Sequence, residues 1–249
     1  MRRFVSVTLA ILSLIYSFIL QAEEIRVATA ANFYPVLNEL KQTYEASSEH
    51  TLTIIRGSTG KLFAQIVRGA PFDVFLSADS IRADKLAKLG KAFEDKTYTY
   101  AIGKLALWKP GAESSMGIKE KMTQGDFKKL AIANPKTAPY GKASVEALKT
   151  MEIYEEVKNK LVYGENITQT YQFVETGAAD LGFVARSYVK GKIYWEVENY
   201  MHKPVKQKML VLKQSRHLQA AKEFIAYLLS PEAQSLIKES GYDIENKQQ

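Results

Sequence analysis

"LTIIRGSTGKLFAQI", residues 52–66, decides how the rest of the chain is read. "LTIIRGS" is an apolar, β-branched run of strand type. "TGKLFAQIVRGA" then places Leu62, Phe63, Ile66 and Val67 on one face of a helix. Between them stand Gly57, Ser58, Thr59, Gly60 and Lys61, a loop that looks like a phosphate cradle. A nucleotide loop needs G-x-x-x-x-G-K-[ST], with a hydroxyl on the metal ion after the lysine. Here Gly57 and Gly60 are too close, and Leu62 follows Lys61, so nucleotide hydrolysis is excluded. A helix start with two hydroxyl residues in front of it remains. It serves either as a cap or as a site for a smaller anion. Lys61, on this reading, faces solvent or steers an approaching anion, and does not meet a γ-phosphate.

Working outward, the same strand-to-helix alternation surrounds this stretch. "EIRVATAA" precedes "FYPVLNELKQTYEAS", whose Val36, Leu37, Leu40 and Tyr44 share a helical face. "FDVFLSAD" is a third strand, and "IRADKLAKLG" a helix stopped by Gly90. A β-α-β-α-β-α order predicts a parallel sheet covered by helices. The long aromatic run "TYTYAIGKLALWKP" is extended and is expected to cross to a second lobe. There "MTQGDFKKLAIANP", "APYGKASVEALKTM" and "NITQTYQFVETGAADLGFVA" repeat the helix and strand signals. "KIYWEVEN" is extended, "VKQKMLVLK" is a strand, and the segment from His217 to Tyr242 is two helices broken at Pro231. This order predicts two α/β lobes, residues 23–100 with 206–249 and residues 101–205, with the last strand and helices returning to the first. Ligands of such folds bind where strand C-termini meet helix N-termini.

Four junctions carry small or polar residues just before a helix: "AANF" (30–33), "GSTGK" (57–61), "APYGK" (138–142) and "GENITQT" (164–170). Each alone is a cap. Several aimed at one cleft would hold an oxyanion with peptide N–H groups and helix dipoles, with no cationic side chain.

Composition narrows the classes. The 249 residues are 46% hydrophobic and 24% charged, ordinary for a globular chain. No cysteine is present, which removes disulfides, thiolate metal sites and cysteine nucleophiles. His50, His202 and His217 have no ligand spacing. There is no G-x-S-x-G elbow, and Asp73, Asp79 and Asp180 read as carboxylates that orient loops or cap helices, so a binding function is expected rather than an enzyme. The net charge of +7 comes from lysines interspersed with acids, not from a basic patch of the kind nucleic acid requires. Residues 1–22, two arginines followed by a long apolar run and Ala22, form an export signal cleaved after Ala22, or else a retained anchor. Losing Arg2 and Arg3 with it leaves +5.

"VATAANF", "GSTGKLFAQIVRGAPFDVFLSAD", "YAIGKLALW", "IANPKTAPYG", "GENITQTYQFVETGAADLGFVA" and "YLLSPEAQSLIKESGY" together resemble the periplasmic molybdate-binding proteins of bacterial ABC transporters. The resemblance covers residues 24–242. It implies a two-lobe periplasmic-binding-protein fold, with mixed sheets flanked by helices and a ligand cleft between the lobes. It implies export to the periplasm, a monomer, no cofactor, molybdate or tungstate as ligand, and a membrane permease as partner. Carried over residue by residue, the oxyanion contacts fall on Asn32, on Thr59 with Ser58 beside it, on Tyr140, and on the backbone N–H of Ile167. Asn32 stands where a serine is usual and would offer its side-chain N–H groups. Ala185 stands where some members have a tyrosine, a contact that Tyr140 could replace from another side. Sulfate, chromate or tungstate alone are the nearest alternatives. An enzyme on a similar two-lobe fold and the sensor domain of a regulator are more distant ones.

Overall fold

The computed structural model describes residues 22–245. The export segment expected over residues 1–22 therefore lies, apart from Ala22, outside the described residues. Among those described, no helix is long and apolar enough to cross a membrane.

Two five-stranded sheets organise the chain. The elements of the first third are β1 (Glu24–Ala30), α1 (Tyr34–Ser47), β2 (Thr51–Gly57), α2 (Thr59–Val67), β3 (Val74–Ser77) and α3 (Ser80–Lys88). β1 pairs in parallel with β2 and with β3, as the βαβ order requires. β4 (Tyr98–Gly103) belongs to this first sheet and β5 (Leu105–Trp108) to the second. The aromatic run thus crosses at Lys104, just past the boundary read from the sequence. α4 (Ser115–Thr123), β6 (Leu130–Ala133), α5 (Pro139–Thr150), α6 (Tyr154–Val157), β7 (Leu161–Gly164), α7 (Ile167–Glu175), β8 (Leu181–Ala185) and β9 (Tyr194–Glu196) follow. The chain then returns through β10 (Val205–Val211) to the first sheet, antiparallel to β3 and β4, and ends in α8 (Leu218–Leu228) and α9 (Pro231–Glu239). Strand order is β2-β1-β3-β10-β4 in one sheet and β7-β6-β8-β5-β9 in the other. Both sheets are mixed.

Side-chain alternation divides each sheet between two cores. Ile25 and Val27 of β1 pack with Val36, Leu37, Leu40, Phe224 and Leu228, while Ala28 packs with Leu62, Ile66, Phe75 and Leu86. In the second sheet Leu105 and Leu107 join Leu148, Ile132 and Phe183, while Ala106 and Trp108 join Val174 and Val184. The buried face of α1 is the one read from the sequence, Val36, Leu37, Leu40 and Tyr44. The face of α2 is rotated from expectation: Thr59, Leu62 and Ile66 are buried, Phe63 is partly so, and Val67 is exposed. The helix ends at Val67, which is left 40% exposed. α6 and β7 had no clear signal. β7 is a half-exposed edge strand in which only Gly164 is buried.

Register sets the stage for the site. Ala30 lies opposite Gly57 at the C-terminal ends of β1 and β2, and Ala133 lies opposite Gly164 at those of β6 and β7. The two edges face each other across the gap between the sheets, each continuing into a helix start.

Candidate functional site

Asn32, Ser58, Thr59, Tyr140 and Ile167, the five residues proposed from the sequence, all line one small cavity between the lobes. Ala78 and Asn166 complete much of its wall, and the space between the atoms is about 210 Å³, its mouth included. All five are at most 3% exposed. No lining residue carries a charge.

The walls are helix starts left open. Each helix begins with N–H groups that have no partner inside the helix. The short 3-10 turn Ala31–Phe33 and helices α2 and α5 begin without any side-chain cap. At α2 the Gly60 N–H crosses the gap to Thr137 O (2.9 Å) and Leu62 N–H closes on Ser58 O (3.1 Å), which leaves the Thr59 and Lys61 N–H groups. At α5 Pro139 has no N–H, and the next two amides are Tyr140 and Gly141. At α7 the Asn166 side chain takes Gln169 N–H (3.1 Å) and its carbonyl takes Thr170 N–H (3.1 Å), which leaves Ile167 and Thr168. Some helix starts away from the cavity are closed by a side chain: Asp79, Ser114 and Ser230 accept the N–H of Arg82, Gly117 and Ala233 at the starts of α3, α4 and α9. Those of α1, α6 and α8 carry no side-chain cap, so what distinguishes the cavity is that several open starts face one space.

The side chains add to this supply. Ser58 Oγ is buried and has no hydrogen-bond partner; of the buried unpartnered side-chain atoms among the described residues, it alone lines the cavity. Thr59 Oγ1 accepts the Ala78 N–H (3.2 Å), so its own hydrogen remains to be donated. Tyr140 OH accepts from Gln207 Nε2 at 3.4 Å. Burial pushes the Tyr140 phenol well above its ordinary value, and the neighbouring Tyr242 and Tyr100 push the same way. It is a neutral donor across the physiological range.

Asn32 departs from expectation. Its Nδ2 donates to Gln207 Oε1 (2.9 Å) and to Tyr242 OH (3.2 Å), so both amide hydrogens have internal partners. What it can still offer the cavity is its main-chain N–H. Ala185 is fully buried in β8, opposite Leu105, and presents no donor. Further along, Tyr188 OH reaches the other lobe at Ala31 O (2.8 Å) and pairs with Thr168 Oγ1 (2.7 Å). Burial pushes the Tyr188 phenol up to about 12. Lys61 does not face solvent alone: its Nζ pairs with Glu165 across the mouth at 2.9 Å. With Gly60 on Thr137 O and Arg82 Nη2 on Lys136 O (3.1 Å), these contacts hold the lobes closed.

Gln207, Tyr100 and Tyr242, with the partly buried Ser187, form a polar layer behind the cavity, and the motif reading missed them. One signal was available. In "VKQKMLV" Gln207 falls in phase with Val205 and Met209, the inward positions of β10, where a polar residue needs a buried partner. A larger groove, about 1160 Å³ of space with its open mouth, runs past Ile81, Lys85, Lys142 and Lys203 on the outer side of the same junction. None of the buried polar atoms without a partner lines it, so it lacks the feature that marks the small cavity.

A seated ligand would be a compact anion. It would be dehydrated and met on all sides by neutral N–H and O–H groups, with helix dipoles supplying the positive field.

Known proteins match this chain and its fold. Residues 25–243 match the family described as bacterial extracellular solute-binding protein. The chain is 41% identical, over 90% of its length and 92% of the relative's, to a molybdate-binding protein of Azotobacter vinelandii. It is 40% identical to a molybdate-binding protein of Rhodobacter capsulatus, over 89% of this chain and 88% of that one. The solved periplasmic molybdate-binding protein of Azotobacter vinelandii superposes with a TM-score of 0.84 at 33% identity, covering 89% of this chain and all of that one.

Proposed function

We propose, from the premise that this chain belongs to the family of bacterial extracellular solute-binding proteins, that it captures molybdate. Tungstate, nearly the same in size and charge, competes for the same site. Residues 23–100 with 206–249 and residues 101–205 act as two lobes that close on the anion. Asn32 and Ile167 contribute main-chain N–H groups, and Ser58, Thr59 and Tyr140 contribute hydroxyls. The loaded protein then delivers its ligand to an ABC permease in the membrane. It works as a monomer in the periplasm, exported by residues 1–22, and binds without catalysing a reaction or using a cofactor.

The observation that carries this reading is Ser58. Its hydroxyl is buried in a wall of open helix starts and no protein group takes its hydrogen, so it is a donor held for an acceptor in the cavity. The neutrality of the lining supports a fully deprotonated anion. A protonated one would bring an O–H donor to a wall built of donors.

Calorimetry with molybdate, tungstate, sulfate and phosphate tests the proposal. Molybdate and tungstate should each bind one to one, with phosphate and sulfate weaker by about a hundred-fold or more, which corresponds to roughly 3 kcal/mol. Equal affinity for sulfate would make this a general dianion receptor. No binding of any of the four would end the oxyanion reading.

A further inference from the structure

We infer that Gln207 is a positioning residue, which sets the polarity of the Tyr140 hydroxyl so that its hydrogen points at the bound anion. The inference rests on the function proposed above and concerns a residue behind the site, not one lining it.

A main-chain carbonyl can only accept, and one of them fixes every direction in this network. Tyr242 OH donates its hydrogen to Asn32 O at 2.7 Å. With that hydrogen spent, the Tyr242 oxygen can only accept. The Asn32 side-chain atom 3.2 Å from it must then be the amide nitrogen, not the oxygen. The same nitrogen lies 2.9 Å from Gln207, so the Gln207 atom there must be Oε1. Tyr100 OH, also 2.9 Å from Oε1, donates to it as well. The other end of the Gln207 amide is then Nε2, and it faces Tyr140 OH at 3.4 Å. A primary amide nitrogen donates and does not accept. Tyr140 therefore cannot send its own hydrogen to Gln207. The phenol is 2% exposed and lines the cavity, so its hydrogen is directed inward.

The local packing preserves this arrangement. A Cβ on Gly103 would stand 2.1 Å from Tyr140 OH and 2.8 Å from Gln207 Nε2. Glycine on β4 is what lets the phenol and the amide meet. Gln207 and Gly103 belong to the first sheet, and Tyr140 to α5 beside the second. The amide thus orients a donor that arrives from the opposite lobe.

The test is a double-substitution cycle read by calorimetry with molybdate: the wild-type chain, Gln207→Leu, Tyr140→Phe and the pair. Tyr140→Phe should weaken binding about ten- to a hundred-fold, as the loss of a hydrogen bond to a charged group does. Gln207→Leu should weaken it about ten-fold in the wild-type background. In the Tyr140→Phe background it should change affinity less than two-fold, because the hydroxyl it orients is gone. Effects that multiply would overturn the inference, since Gln207 would then act on the fold and not through Tyr140. Should Gln207→Leu fail to give a cooperative thermal transition, Gln207→Glu takes its place in the same cycle. Its carboxylate has the same shape but accepts, drawing the Tyr140 hydrogen away from the anion. The loss it causes should again shrink when Tyr140 is phenylalanine. Failure of the wild-type chain to bind molybdate or tungstate would instead strike the proposed function.

Discussion

A buried hydroxyl without a partner costs a folded chain about 1–3 kcal/mol, and Ser58 Oγ is one. Its replacement by alanine separates stability from binding. Ser58→Ala should leave the melting temperature of the ligand-free protein unchanged or raise it, because an unsatisfied polar atom is removed. The same change should weaken molybdate binding about ten-fold or more, since the anion loses a charge-assisted hydrogen bond. A parallel fall in both quantities, by calorimetric melting and titration, would make Ser58 a structural residue. At this scale the sequence was informative wherever a residue announced a helix start. Ser58, Thr59, Tyr140 and Ile167 each sit at such a junction, and the structure brings them together. It was silent on orientation. Asn32 was read as a side-chain donor, but its amide turns away to Gln207 and Tyr242. Those partners are 175 and 210 residues distant in the chain, and no local pattern reports such a contact.

Helix α5 shows how tightly an element must be seated to aim its first turn. Gly141 follows Tyr140, and a Cβ there would stand 2.0 Å from Ala133 O at the end of β6. In a free helix, alanine is favoured over glycine by about 1 kcal/mol. Here the clash decides the sign, since overpacking against backbone costs about 1–3 kcal/mol and sometimes more. Gly141→Ala should lower the midpoint of urea unfolding and weaken molybdate binding. An unchanged or higher midpoint would show that α5 can slide away from β6. The elements themselves were legible where periodicity was strong. The buried face of α1 and the break before α9 follow from residue spacing and from Pro231. β7 was not, because its apolar run, Leu161–Tyr163, is only three residues long, lies at a half-exposed edge and ends in glycine. The misplaced Val67 has a similar origin: a helical wheel does not know where the helix stops.

Across the whole molecule, closure rests on few contacts. The Lys61–Glu165 pair spans the mouth with both side chains about half exposed. Exposed pairs contribute about 0.2–1 kcal/mol, so Glu165→Gln should speed ligand release about two- to five-fold at low salt. The difference should vanish near 1 M salt, where screening acts within about 3 Å. Stopped-flow fluorescence can follow it, since Trp108 and Trp195 both lie on the second sheet. A salt-independent difference would rule out the ion pair as its cause. The two-lobe order was legible because the strand and helix signals switch sheets and return. The place of each crossing was not, because Lys104 sits inside one continuous extended run and gives no local sign that it is a joint. One further consequence follows from Tyr242, whose hydroxyl meets Asn32 O. The contact behind the candidate site joins residues 210 positions apart. A ribosome makes Asn32 long before Tyr242, so this support is laid down only after the strands of both sheets have been synthesised.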